Sequence, residues 1–169
     1  MIVLGDEVRT ALAAQQPVVA LESTIFSNLG LPSPANAEAL EICVSAIREE
    51  GAVPALTAVL DGVIWAGVPE ELYERVLDCS VKVAARGLAA ATSQQFPSGA
   101  TTVSASVVIA DRVGIEVFAT GGIGGVHRES QLTGDGSADL DAIARHQVMV
   151  VSAGAKAFLD LPRTLEYLE

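Results

Sequence analysis

The sequence predicts an α/β fold, an αβα sandwich with a mainly parallel sheet, and three observations support this class. Short apolar runs recur along the chain without alternating polar residues, which is typical of strands covered on both faces. Segments with apolar residues at helical spacing separate these runs. The chain has 169 residues, of which 50% are hydrophobic, and this size suits a single domain over residues 1–169.

The predicted strands are short runs rich in valine, leucine and alanine, bounded by proline, glycine or charged residues. The turn signal Asp61-Gly62 separates the second strand from the third. In chain order the predicted strands are Pro17–Leu21, Val53–Leu60, Val63–Ala66, Val81–Val83, Ile115–Ala119 and Val148–Val151.

The predicted helices carry apolar residues every three or four positions or consist of small apolar residues. Gly51 is a plausible residue after the end of the first helix, and Pro69 lies in the first turn of the second. Pro97-Ser98-Gly99 is expected to break the chain before the fourth helix. In chain order the predicted helices are Ala37–Glu50, Pro69–Leu77, Leu88–Gln94, Ala100–Val113, Asp139–Arg145 and Pro162–Glu169.

Composition and charge exclude several classes of partner. With 21 acidic and 10 basic residues the net charge is −11, so the basic footprint of a nucleic-acid-binding protein is absent. No apolar run reaches the ~18–20 residues of a membrane span, and Met1–Thr10 lacks the pattern of a secretory signal. Cys43 and Cys79 lie far apart and are expected to be reduced thiols of a cytoplasmic protein.

Polar or glycine residues follow an apolar strand in three segments, Val18–Thr24, Val117–Arg128 and Val150–Lys156. In open α/β sheets, ligands bind outside the carboxyl ends of the strands. These segments are therefore expected to bring their polar side chains to one crevice. The side chains concerned are Glu22, Thr120, His127, Arg128 and Lys156.

Glu22 and the two lysines are candidate reactive groups. Glu22 allows two interpretations. At the end of an apolar strand its pKa would be raised, so that the carboxyl could act as an acid. Alternatively, its carboxylate accepts hydrogen bonds from the backbone of a neighbouring loop. Eight of the ten basic residues are arginine, so Lys82 and Lys156 stand out, because only lysine offers a neutral amine to a carbonyl. We expect Lys156 to be desolvated, and the alternative is that both lysines are ordinary surface residues.

The glycine loop and two aspartates each allow two interpretations. Gly121–Gly125 either cradles an anion with backbone N–H groups or is a tight structural turn. Asp135 could ligate a hard cation such as Mg²⁺ or Mn²⁺, with water or substrate supplying most other ligands. Asp139 either joins the site or caps the helix that follows it.

Five long motifs resemble the pseudouridine-5′-phosphate glycosidase family, also called indigoidine synthase A-like. Their order and spacing match the family from Pro17 to Glu169. The motifs are ALESTIFSNLGLPSPAN, GATTVSAS, VFATGGIGGVHR, GDGSADL and VSAGAKAFLDLPRTLEYLE. Family members are longer, so the sequence is expected to correspond to their N-terminal half, with an incomplete family domain.

The resemblance implies an enzyme that reversibly cleaves the C–C glycosidic bond of pseudouridine 5′-phosphate to uracil and ribose 5-phosphate. In this chemistry the ribose ring opens, a lysine forms an imine at C1′, and the iminium acts as an electron sink. The alternative is a truncated, catalytically impaired relative that serves as a sugar-phosphate-binding or oligomerisation module. A further alternative is another imine-forming lyase that acts on a different sugar phosphate.

The resemblance also assigns residues, a cofactor and partners. It implies Lys156 as the imine-forming nucleophile, Glu22 as the proton donor, and Asp135 as a ligand of a divalent metal, typically Mn²⁺. It further implies a small-molecule substrate, a cytoplasmic location and a homotrimer. The implied substrate-binding residues are Lys82, Val103, Thr120, His127, Ser137, Ala138 and Asp139.

Overall fold

Eight strands form one sheet, and the computed structural model describes all residues from 1 to 169. Five of the seven strand pairings are parallel, which confirms the mainly parallel sheet. The strands are β1 (Ile2–Leu4), β2 (Val18–Leu21), β3 (Val53–Leu60), β4 (Val63–Ala66), β5 (Lys82–Val83), β6 (Ser98–Thr101), β7 (Val117–Ala119) and β8 (Met149–Val151).

Helices cover both faces of this sheet. Two 3₁₀ turns, Glu70–Leu72 and Ala85–Gly87, precede α3 and α4. The helices are α1 (Asp6–Ala13), α2 (Ala35–Glu49), α3 (Tyr73–Leu77), α4 (Leu88–Ser93), α5 (Val103–Val113), α6 (Ser130–Thr133), α7 (Ala138–Arg145) and α8 (Leu161–Leu168).

The central strand β3 changes its partner half-way along its length. The sheet order is β1-β4-β3-β2-β7-β8, and β6 pairs with both β3 and β5. The first half of β3 pairs in parallel with β2, and Ala58–Leu60 pairs antiparallel with β6. The chain beyond β2 meets the end of β6, because the N–H groups of Ser23 and Thr24 both donate to the carbonyl of Thr101. At this point β6 takes the place of β2 beside β3.

Two apolar cores lie on opposite faces of the sheet. Alternate residues of β3 point to opposite faces, since side chains alternate along a strand. Leu56 packs into the core that includes residues of α2 and α3. Val59 packs into the larger core, which includes residues of α1, α4 and α5. Helices on both faces of one sheet confirm the predicted αβα sandwich.

The strand β6 and the start of α5 differ from the sequence prediction. Residues 98–101 form β6, whereas the chain break and the helix Ala100–Val113 were predicted there. The run SGAT carries no strong strand signal, and it is extended because it pairs with β3 and β5. A Cβ atom at Gly99 would lie 2.6 Å from a methyl group of Val83, so this close strand contact requires glycine.

The first strand and helix, β1 and α1, also escaped the sequence analysis. β1 has only three residues, and it is extended because it pairs in parallel with β4. α1 buries only Val8 and Ala11, which is too little apolar surface for a clear periodic pattern. None of the helices is both long enough and apolar enough to cross a bilayer.

Four hydroxyl groups fill the space where β2, β3, β6 and α5 meet. Ser23, Thr57, Thr101 and Ser106 are fully buried, and together they form what we call the hydroxyl cluster. The Oγ1 atom of Thr57 lies 2.8 Å from the hydroxyl oxygens of both Thr101 and Ser106. The Oγ1 atom of Thr101 donates to the carbonyl of Thr57 over 2.7 Å and lies 3.0 Å from Ser23 Oγ. The cluster therefore connects three strands to the start of a helix.

Replacing Thr101 by valine removes the central hydroxyl of this cluster and leaves buried polar partners unsatisfied. We expect Thr101→Val to lower the free energy of unfolding by about 2–3 kcal/mol, measured by urea denaturation. Thr92→Val is the matched control, because Thr92 Oγ1 is buried without a hydrogen-bond partner. The control should be neutral within about 0.5 kcal/mol or stabilising. Equal losses in both variants would contradict a stabilising role for the cluster.

Candidate active site

A cleft of about 450 Å³ opens at the carboxyl ends of the parallel strands. This is the place that the strand-end segments predict. Thr120, Asp135 and Arg128 do not line it. Eight of the eleven residues predicted for the site do: Glu22, Lys82, Val103, His127, Ser137, Ala138, Asp139 and Lys156.

Glu22 follows β2 directly and is buried, with 7% of its surface exposed. Burial raises the pKa of its carboxyl to about 7, because the charged form loses its hydration. A hydrogen bond from Thr120 and the charges of Lys156 and Lys82 lower this pKa, while the charge of Asp139 raises it. The predicted raised pKa is confirmed, and the carboxyl can hold a proton near neutral pH.

Thr120 lies beside Glu22 rather than in the wall of the cleft. It follows β7, the neighbour of β2 in the sheet. Its hydroxyl Oγ1 donates a hydrogen bond to Oε1 of Glu22. Both residues also border a separate cavity of about 260 Å³, whose apolar walls include Leu21, Phe26 and Cys43. The partner of Glu22 is thus a side-chain hydroxyl rather than the backbone donors of the alternative interpretation.

Asp139 connects the first turn of α5 with the glycine loop in the wall of the cleft. Its Oδ1 atom accepts a hydrogen bond from the backbone N–H of Ser104 over 3.0 Å, and its Oδ2 atom accepts one from Gly124 N–H over 2.9 Å. It does not cap α7, as one interpretation expected, because Ser137 occupies that position and accepts from Asp139 N–H. A Cβ atom at Gly124 would lie 2.9 Å from Oδ2 of Asp139, so the contact depends on glycine.

The glycine loop holds the segment that carries Lys156. Ile123 forms a parallel bridge with Ala155, and the N–H of Lys156 donates to the carbonyl of Ile123 over 3.2 Å. The N–H of Ile123 in turn donates to the carbonyl of Gly154. These contacts are those of a structural turn that positions the lysine. Lys156 itself is exposed, so the expected desolvation is wrong for this chain.

The other predicted residues surround the cleft on several elements. Lys82 is exposed on β5, and Val103 begins α5. The ring of His127 packs edge-on against Phe158, with 6.4 Å between the ring centroids. Nδ1 of His127 lies 3.5 Å from Oδ2 of Asp135. Asp135 therefore contacts a residue that lines the cleft without lining the cleft itself.

The residues around Asp135 do not form a metal site on their own. The side chain of Asp135 is 62% exposed, and the only ring or basic nitrogen within 4 Å of its carboxylate is Nδ1 of His127. No group of three or more His, Cys, Asp or Glu side chains converges anywhere in the structure. A divalent cation usually needs more protein ligands than this pair provides. We therefore derive no step through a metal.

Several residues that line the cleft carry no site role in the sequence prediction, among them Thr102, Ser104 and Phe158. Thr102 and Ser104 lie at the start of α5, and Phe158 lies just after Lys156. Polar residues at the start of a predicted helix are a weak signal for the first two. Only the tertiary contact with His127 identifies the third, because an isolated phenylalanine has no recognisable pattern.

Comparison with known proteins identifies the family. The family profile described as indigoidine synthase A like protein matches residues 7–169. A relative from Methylobacterium nodulans, named pseudouridine-5′-phosphate glycosidase, is 52% identical over 167 residues, which cover 98% of this chain and 49% of the relative. A relative of the same name from Arabidopsis thaliana is 47% identical over 172 residues, which cover 100% of this chain and 52% of the relative. The chain thus spans about half the length of the curated relatives it matches.

Two solved structures share the fold. The prealnumycin C-glycosynthase AlnA, in complex with ribulose 5-phosphate, superposes with a TM-score of 0.89 at 40% identity. The match covers 99% of this chain and 54% of that protein. An indigoidine synthase A-like protein from Thermotoga maritima has a TM-score of 0.81 at 37% identity, covering 90% of this chain and 51% of that protein. Because the family profile spans nearly the whole chain and sequence and structure agree, the chain belongs to the indigoidine synthase A-like family.

Proposed function

We propose that this chain carries the imine-forming part of a pseudouridine-5′-phosphate glycosidase, a C–C bond lyase that releases uracil and ribose 5-phosphate. The observation that carries the proposal is one cleft lined by Lys156, Lys82 and the buried acid Glu22. The names of the curated relatives agree with this activity. They give no support to the alternative of a non-catalytic binding module.

Lys156 is the group that would bond to the sugar. A C–C glycosidic bond has no leaving oxygen to protonate, so cleavage needs a group that accepts or supplies the bonding electrons. The neutral amine of Lys156 bonds to C1′ as the C1′–O4′ bond breaks; the amine loses a proton and the ring oxygen gains one, so the ribose ring opens. The nitrogen lone pair then forms the C=N bond as the C1′–uracil bond breaks. The electron pair of the broken bond returns to the uracil ring. Water then hydrolyses the iminium, which frees ribose 5-phosphate and the lysine.

Glu22 is the group that would supply the proton to uracil. The leaving carbon of uracil needs a proton before the C–C bond can break. A carboxyl group with a pKa of about 7 is protonated in much of the population at neutral pH and can still lose that proton. The reverse reaction uses the same carboxylate as a base. Lys82 supplies a positive charge to the same cleft, which suits the phosphate of the substrate.

Metal, assembly and location are further parts of the proposal. The Mn²⁺ that the family resemblance implies at Asp135 stays a prediction, and the steps above do not depend on it. A cytoplasmic location stays a prediction that is compatible with the two free cysteines. We also propose a homotrimer, which rests on the family resemblance.

Borohydride trapping tests the role of Lys156. The chain is mixed with ribose 5-phosphate and reduced, and the adduct is located by peptide mass spectrometry. We expect the added mass on Lys156, and we expect none in Lys156→Arg because arginine forms no imine. Lys82→Arg is the matched control, since Lys82 is the only other lysine, and it should retain the adduct on Lys156. Equal labelling of both lysines, or none, would contradict a dedicated imine site in this chain.

The pH dependence of stability tests the acid Glu22. Its pKa is about 7 in the folded protein against 4.5 for the free group, so the folded state binds the proton more tightly. The stabilisation from this proton is complete below pH 4.5 and is lost as the pH rises through 7. Between pH 4 and pH 8, the free energy of unfolding of Glu22→Gln should therefore rise by about 2–3 kcal/mol relative to that of the unmodified protein, measured by urea denaturation. A constant difference across this range would contradict the raised pKa.

Light scattering tests the proposed assembly. Several large apolar side chains of β8, α8 and the segment between them are exposed: Met149, Val151, Phe158 and Leu165. Exposed apolar surface of this kind favours association. We expect the chain to elute as an oligomer with the mass of three copies. A well-folded monomer would contradict the proposal.

A further inference from the structure

We propose that Thr120 is a positioning residue for the proton donor: its hydroxyl holds Oε1 of Glu22 and so leaves Oε2 as the oxygen that carries the transferable proton. The family resemblance suggested instead that Thr120 contacts the substrate. The catalytic meaning of this inference rests on the proposed function. The geometry of the contact does not depend on it.

The hydroxyl of Thr120 has one partner, and that partner is Glu22. Thr120 Oγ1 donates to Glu22 Oε1, and the contact joins the residues that follow the neighbouring strands β2 and β7. The backbone N–H of Thr120 donates to the carbonyl of Val151 over 3.0 Å, which fixes the threonine against β8. Around the pair, the smaller cavity is almost entirely apolar and includes Ile25 and Ala119. It offers the hydroxyl no competing partner.

The second oxygen of Glu22, Oε2, has no hydrogen-bond partner and is not fully enclosed. Oε2 accepts no hydrogen bond in the structure. If it were fully buried, it would be a buried polar atom without a partner, and the only such side-chain atom is Thr92 Oγ1. Oε2 therefore keeps contact with solvent, and Glu22 lines the cleft that also contains Lys156. A neutral carboxyl group carries its proton on one oxygen only. With Oε1 engaged as an acceptor, the proton is placed on Oε2, where it can reach a substrate.

Four charged or polar groups act on this carboxyl from different elements. Lys82 approaches from β5, Asp139 from α7, Lys156 from the loop after β8, and Thr120 from the end of β7. Of these, only Thr120 forms a hydrogen bond with Glu22. A hydroxyl that donates to a carboxylate stabilises its charged form. Its removal should therefore favour the protonated form.

Carbon-13 NMR titration of the chain with labelled glutamate carboxyls tests this inference directly. The resonance of Glu22 is identified by its loss in Glu22→Gln. We expect Thr120→Val to lower the acid ionisation constant of Glu22 about tenfold, which is an upward move of its pKa by about one unit. Thr120→Ser keeps the hydroxyl and should stay within about twofold of the unmodified protein. Thr92→Val is the control for the same substitution far from Glu22, and it should change nothing.

The result that overturns the inference is an unchanged Glu22 titration in folded Thr120→Val. Circular dichroism shows whether each variant is folded, and Thr120→Ala replaces Thr120→Val if valine is not accommodated. A titration in Thr120→Ser that matches Thr120→Val would also overturn it, because the hydroxyl would then not be responsible. The titration needs no turnover, so its outcome is independent of the trapping test on Lys156. The trapping test can therefore contradict the proposed function while the titration supports this inference, and the titration can contradict the inference while trapping supports the proposed function.

Discussion

The hydroxyl cluster is the interaction on which the positions of the other parts depend. Thr57 lies where β3 exchanges β2 for β6, and its hydroxyl also donates to the carbonyl of Leu21 at the end of β2. Apolar packing cannot fix this junction, because backbone groups at the ends of two strands need partners there. Neighbouring hydroxyl oxygens of the cluster lie 2.8–3.0 Å apart, and three of the hydroxyls donate to backbone carbonyls at the junction: Thr57 to Leu21, Thr101 to Thr57 and Ser106 to Thr102. Glu22 is adjacent in sequence to Ser23, a member of this cluster, so the junction also fixes the acid.

Further hydrogen bonds extend from this junction into the site. α5 begins directly after β6, and Asp139 ties its first turn to the glycine loop. That loop in turn holds the backbone of Lys156. Acid and amine are therefore linked by a series of hydrogen bonds and short backbone stretches, although they are far apart in sequence. Neither Lys82 nor Lys156 takes part in any of the ion pairs of the structure, so the charges of both lysines are available to a ligand.

Much of the fold was predictable from residue pattern, and the exceptions have physical causes. The long buried strand β3 and the helix α2 have strong periodic or apolar signals, and their predicted bounds agree within two residues. The run SGAT of β6 has little intrinsic strand preference, and β1 has strand-forming residues but only three of them, so pairing with neighbours creates both strands. The lysine-poor composition and the strand-end motifs indicated the cleft residues. They could not indicate the direction in which each side chain points.

The sequence by itself determined the fold class, the family and the set of chemical groups, because buried strands, glycine loops and long motifs are local in the chain. Tertiary structure alone decided the state of those groups. It buried Glu22 and exposed Lys156, and it made Asp139 a connection between the first turn of α5 and the glycine loop rather than a helix cap. It also placed Thr120 against Glu22, 98 residues away in sequence. The ionisation of a carboxyl depends on its neighbours in space, and sequence spacing contains no measure of that distance.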